Sequence, residues 1–140
     1  MRKELVQDYL MRARIRIRAL EFFRSEGDHA DVVREAQEVV ELLLKALMMR
    51  MGLDVPKVHD VSRAMEVHRD LFPPLIREEM PFIRRLSRDL RKERELAFYG
   101  AHDWIPGQEY TDEDSARLLG EVRRLASLVE EAVRLLDEAG

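Results

Sequence analysis

Residues 34–52, REAQEVVELLLKALMMRMG, decide the fold. Taken with the preceding turn, their apolar side chains fall at Val32, Val33, Ala36, Val39, Val40, Leu43, Leu44, Leu47, Met48 and Met51. That recurrence is the stripe of an amphipathic helix. Asp28 or Asp31 can cap its start, and Gly52 is a good C-terminal stop. Glu41 and Lys45 stand at i,i+4 away from the stripe, with the acid on the favourable N-terminal side.

The same period extends outward in both directions. Residues 3–24 carry Leu5, Val6, Tyr9, Leu10, Ala13, Ile17, Leu20 and Phe23 at helical spacing, and Ser25, Glu26 and Gly27 break the run. Residues 12–18 alternate as a strand would, but the long helical context on both sides decides for a helix. After a short loop with Pro56, a third helix is expected over residues 58–71, ended by Pro73 and Pro74. A fourth is expected from Pro74 to Tyr99, with Ile76, Met80, Ile83, Leu86, Leu90 and Ala97 on its stripe and Pro81 kinking it near its start. Gly100 ends it. A loop over residues 101–110 leads to Thr111, which caps a fifth helix with Asp114 in capping-box spacing. Leu118, Val122, Leu125, Val129, Ala132 and Leu136 form one long face of that helix. Short connections favour antiparallel neighbours. The expectation is an all-α, up-and-down antiparallel bundle of four to five helices, with residues 1–140 as a single domain.

Composition narrows the functional classes. The chain has 140 residues, 46% hydrophobic and 37% charged, which suits one globular domain with a real core. It has no cysteine, which excludes disulfides, thiolate metal sites and cysteine nucleophiles. Charge interrupts every apolar run before it reaches the length of a membrane span, and no signal-peptide pattern is present, so a cytoplasmic protein is expected. Absent asparagine and abundant arginine lean towards a thermophilic source. The net charge is −4, unevenly spread. Residues 1–25 hold seven basic side chains against three acids, residues 80–94 hold six against two, and the last thirty residues are net acidic. The two basic helices offer a phosphate-attracting face, or else a solvated surface paired with acids elsewhere.

Four histidines are present, His29, His59, His68 and His102, without HExxH or zinc-ligand spacing. There is no glycine-rich phosphate loop and no nucleophile elbow. No metal and no cofactor are expected. His68 falls on the apolar side of the third helix, four residues after Ala64, as a core-edge histidine. Asp60 can orient the imidazole of His59 or cap the helix. Arg94 shares a stripe with Leu90 and Ala97, where an arginine must pair, snorkel or face something other than the core. A pairing with Glu41 would satisfy it, as would a dimer interface or a phosphate site. With His102 close by, metal-independent RNA cleavage is chemically possible. The histidine would move the proton, and the guanidinium would stabilise the charged phosphorane. Phe98, Tyr99 and Trp104 offer a stacking surface for a base, or pin a loop over the bundle end.

Three segments, REAQEVVELLLKALMMRMG at 34–52, VPKVHDVSRAM at 55–65 and RKERELAFYGAHDW at 91–104, together resemble the HEPN domain (higher eukaryotes and prokaryotes nucleotide-binding domain). The similarity is closest to its compact stand-alone prokaryotic and archaeal forms and spans about residues 5 to 135. The resemblance implies a helical bundle that often forms a homodimer and is frequently encoded beside a minimal nucleotidyltransferase, as a two-component or toxin–antitoxin pair. Many members are metal-independent ribonucleases, whose motif is an arginine, four to six residues, then a histidine, late in the fourth core helix. Here Arg94 carries over as the arginine, the residue after a gap of four is Tyr99, and His102 comes after a gap of seven, beyond Gly100. The resemblance thus implies a nucleotide- or RNA-binding module using Arg91, Arg94, Tyr99 and Trp104. Glu41, Lys45, His59 and Asp60 form its scaffold. The alternatives are an endoribonuclease toxin using Arg94 and His102, and a purely structural helical interaction module.

Overall fold

Leu42, Leu43 and Leu44 are consecutive, so they point in three directions around their helix, yet all three are buried. Only a helix surrounded by others can do that. This helix, α2 (His29–Arg50), packs against α1 (Lys3–Ser25), α3 (Val61–Val67), α5 (Met80–Tyr99) and α6 (Asp112–Ala139). A short α4 (Pro74–Glu78) precedes α5, and a single 3-10 turn, Arg69–Leu71, follows α3. A computed structural model describes residues 2–57, 60–99 and 110–140, without the side chains of 94–99. Among the described residues the regular structure is entirely helical, and four long helices make the bundle.

Side-chain pairs fix the helix directions. Arg16 meets Glu35 across the α1–α2 turn, where Gly27 takes the positive φ of 78° that lets the chain reverse. Arg14 reaches Glu130 and Glu21 reaches Arg123, so α6 runs against α1. His29 lies beside Ser115 and Arg50 beside Asp137, so α6 runs along α2. Arg85 pairs with Glu121 and Glu79 with Arg124, so α5 runs against α6. The order is up, down, up, down. Leu20, Leu43, Leu44, Leu47, Met48, Ile83, Leu86 and Leu125 meet in the fully buried centre. Each such side chain contributes about 1.5–3 kcal/mol of hydrophobic stabilisation. Among the described residues no helix is long and apolar enough to cross a membrane.

Three details of the expected helices are corrected. The single helix from Pro74 to Tyr99 is two helices, divided at Glu79. Pro81 has no N–H for the Arg77 carbonyl, and its ring would strike that carbonyl in a continuous helix. It is instead accommodated in the first turn of α5, where no donor is needed. The third helix begins at Val61, because the Asp60 carboxylate accepts the Arg63 N–H at 3.2 Å and caps it there. It ends at Val67. His68 is therefore not at the core edge: it is an exposed residue joining α3 to the 3-10 turn. Phe72 takes the extended backbone that a following proline favours and fills the core in its place.

Candidate nucleic-acid interface

Asp60 is where the chemistry gathers. Its Oδ1 holds the α3 cap and also accepts hydrogen bonds from the Ser62 hydroxyl and, at 3.4 Å, from Ser87 on α5. Its Oδ2 faces two guanidiniums, Arg84 Nη1 at 3.3 Å and Arg91 Nη1 at 3.1 Å. Arg84 donates as well to the Ser62 hydroxyl at 3.4 Å. Arg84, Ser87 and Arg91 stand three and four residues apart, which sets them in line along two turns of α5. Burial alone would push the Asp60 carboxyl up. The Ser62 hydroxyl, the Arg63 amide and the two guanidiniums outweigh it and hold the group below its ordinary 3.8. Asp60 is thus ionised at neutral pH.

The charge around it does not cancel. Arg88 lies on the same side of α5, exposed and with no ion partner among the described residues. Two guanidiniums then share one carboxylate with a third beside them, and Arg91 keeps 41% of its side chain exposed. The adjoining side of α5, which faces α6, behaves differently. There Arg85 pairs with Glu121 and Asp89, and Arg124 lies 4.0 Å over the Phe82 ring while paired with Glu79. A cleft of about 410 Å³ between α5 and α6 has Arg85, Lys92 and Arg117 set against Asp89, Glu93 and Asp114 on its rim. That balance gives no net pull on phosphate.

The basic helix α1 does not extend the ridge. Both α1 and α5 pack on α2 rather than on each other. Arg14, Arg16 and Arg24 are held by Glu130, Glu35 and Asp112.

Of the residues singled out from the sequence, Arg91 and Asp60 meet directly. Glu41 and Lys45 lie together on α2, 3.8 Å apart, with Glu41 also accepting from Gln37 at 2.9 Å. The backbones of Arg94 and Tyr99 belong to α5, and Arg94 stands seven residues after Ser87, but their side chains are outside the described residues. His59, His102 and Trp104 are also outside the described residues. Sequence reasoning missed Ser62, Ser87, Arg84 and Arg88 as parts of one site. The 84–88–91 spacing was a signal, but nothing local announced that Asp60 would lie against it. It also missed the contact of Ser115 Oγ with His29 Nδ1 at 2.8 Å. That pair resembles an activated nucleophile, yet Ser115 is fully buried and also hydrogen-bonds the Asp112 carbonyl, so it ties two helix starts together. Among the described residues no group of three acids or histidines could hold a metal.

The model of the HEPN domain matches residues 6–132 of the chain. No curated protein and no solved structure gives a match.

Proposed function

The chain belongs to the HEPN domain family, and on that premise we propose that it binds nucleotide or RNA phosphates along the Arg84–Arg88–Arg91 ridge of α5. Family membership supports a nucleotide- or RNA-related module. The observation that carries the assignment to this ridge is the uneven pairing at Asp60, one carboxylate for two guanidiniums with Arg88 beside them. A phosphate placed there completes the charge balance without displacing any core contact. Arginine suits the task, because its planar fork meets phosphate oxygens in pairs. On the same proposal, Arg94, Tyr99 and Trp104, which follow the ridge in the chain, are the residues that add charge and stack on a base.

In this reading the protein is a homodimer that acts beside a minimal nucleotidyltransferase, in a two-component or toxin–antitoxin arrangement. Asp60, with His59, Glu41 and Lys45, serves as scaffold.

The test is fluorescence anisotropy of a labelled single-stranded RNA across a salt series. Affinity falls with salt as phosphate contacts are lost. No binding at low salt would overturn the reading. The same RNA incubated in EDTA separates binding from catalysis: cleavage that disappears in Arg94→Ala and His102→Ala would replace the binding module by a ribonuclease.

A further inference from the structure

α1 has an outer face that its own bundle does not explain. Val6, Leu10, Ala13, Ile17 and Leu20 are buried on one side. Diametrically opposite, Met11, Ile15 and Phe22 are 46%, 49% and 60% exposed. They fall on one line with Glu4, Asp8 and Arg18, alternating by four and three residues, the spacing of a helix-pairing seam. Large apolar side chains in a row on one exposed face mark a contact surface rather than chance scatter.

We propose that this face is an interface with a second copy of the chain, the two α1 helices packing antiparallel around a two-fold axis at Ala13. The reason is the order of charges along the seam. With residue sums of 26 facing each other, Met11 meets the second copy's Ile15 in the two central layers. Asp8 meets the second copy's Arg18 in the next two. Glu4 and Phe22 close the ends, over a length of about 27 Å. Leu5, itself 44% exposed, falls beside the seam opposite the second copy's Ala19. A parallel pair would instead set Asp8 on Asp8 and Arg18 on Arg18, which is repulsive. Arg18 has no ion partner in its own chain among the described residues, so it is free to take one from outside. The arginines that flank the axis are already held within each chain, Arg14 by Glu130 at 2.7 Å and Arg12 by Asp8 at 4.0 Å and over the Tyr9 ring. Arg14 thus brings no uncompensated charge into the contact, while Asp8 is shared between Arg12 of its own chain and the second copy's Arg18. An isologous seam of this kind needs only one surface patch, complementary to itself.

This contact rests on no part of the nucleic-acid reading. It points away from α5, so it is separate from any pairing through the end of that helix, and both can be occupied at once.

Sedimentation velocity on the full chain over a wide concentration range tests it. Arg18→Asp and Asp8→Arg each replace an attractive layer by a repulsive one, and each halves the limiting mass of the wild type. Both positions lie on the outside of the helix, so circular dichroism and thermal melting confirm that each variant folds. Mixing the two variants then restores the wild-type mass, because one copy now presents two arginines along the seam and the other two aspartates. A wild type whose mass is unaffected by Arg18→Asp, or a mixture that stays at half mass, overturns the proposal. RNA binding is unchanged in these variants, which keeps the outcome distinct from that of the α5 ridge.

Discussion

Asp60 Oδ2 and Arg91 Nη1 lie 3.1 Å apart, joining the start of a seven-residue helix to the middle of α5. The contact ties scaffold to ridge. Asp60 caps α3 and orders two arginines, but it supplies too little negative charge to neutralise them. Stability and binding therefore pull in opposite directions at one residue.

Asp60→Asn lowers stability by about 2 kcal/mol, from weakened charge-assisted hydrogen bonds to groups that are themselves partly solvated. Its pH dependence has a definite sign. The carboxyl titrates below its ordinary 3.8 in the fold, so its stabilisation is present in full above that value and fades as pH falls through the folded one. Urea denaturation of wild type and variant at several pH values checks this. The gap between them stays constant from about pH 8 to 5 and narrows below about pH 4.

The same substitution strengthens RNA binding, because both guanidiniums are released from their carboxylate. Its logarithmic salt slope steepens by about 0.7, the increment of one further phosphate contact on a single strand. Arg88→Ala shifts the slope the other way by a similar amount and leaves the melting temperature unchanged. Parallel anisotropy titrations of the two variants decide this. Slopes that do not move in opposite directions would remove the ridge from the binding site.

Leu47→Ala tests α2 as the centre of the bundle. Leu47 is fully buried, and truncating it leaves a cavity that costs about 3 kcal/mol. Denaturant midpoints, read at a constant m-value, report the loss directly.

Thr111→Ala removes one half of a reciprocal cap. The Thr111 hydroxyl accepts the Asp114 N–H at 3.1 Å, and the Asp114 carboxylate accepts the Thr111 N–H at 2.9 Å. A destabilisation of about 1 kcal/mol is expected in thermal melts. The loss at the α6 start is local, so RNA binding at the ridge is unaffected.

Much of the fold was legible because its signals are local. The stripe through Val32, Leu43 and Leu47 has one period and one physical reading. The capping box at Thr111 is written in four residues, and the observed reciprocal hydrogen bonds follow from them. Helix ends were less legible where two local rules compete. Pro74 and Pro81 are both acceptable in a first helical turn, and only the packed structure reveals that each opens its own helix. His68 was misplaced because a helical period was carried past Val67, beyond the point where the chain leaves the helix.

The candidate site was legible in part. Arginine-rich α5 and the Asp60 cap were both visible in the sequence, while their meeting was not, since twenty-four or more residues separate them in the chain. The charged groups of α1 were visible too, but not which of them would be consumed within the chain.

By itself, then, the amino-acid sequence determined an all-helical bundle and the family to which it belongs, because helical period, caps and family motifs are properties of residues near one another. Tertiary structure alone decided which charges remain. Arg14, Arg16 and Arg24 find acids on α2 and α6, Arg84 and Arg91 share Asp60, and Arg88 and Arg18 keep their charge facing outward among the described residues. A guanidinium's availability depends on what lies within a few ångströms of it, and that distance is set only when the helices pack.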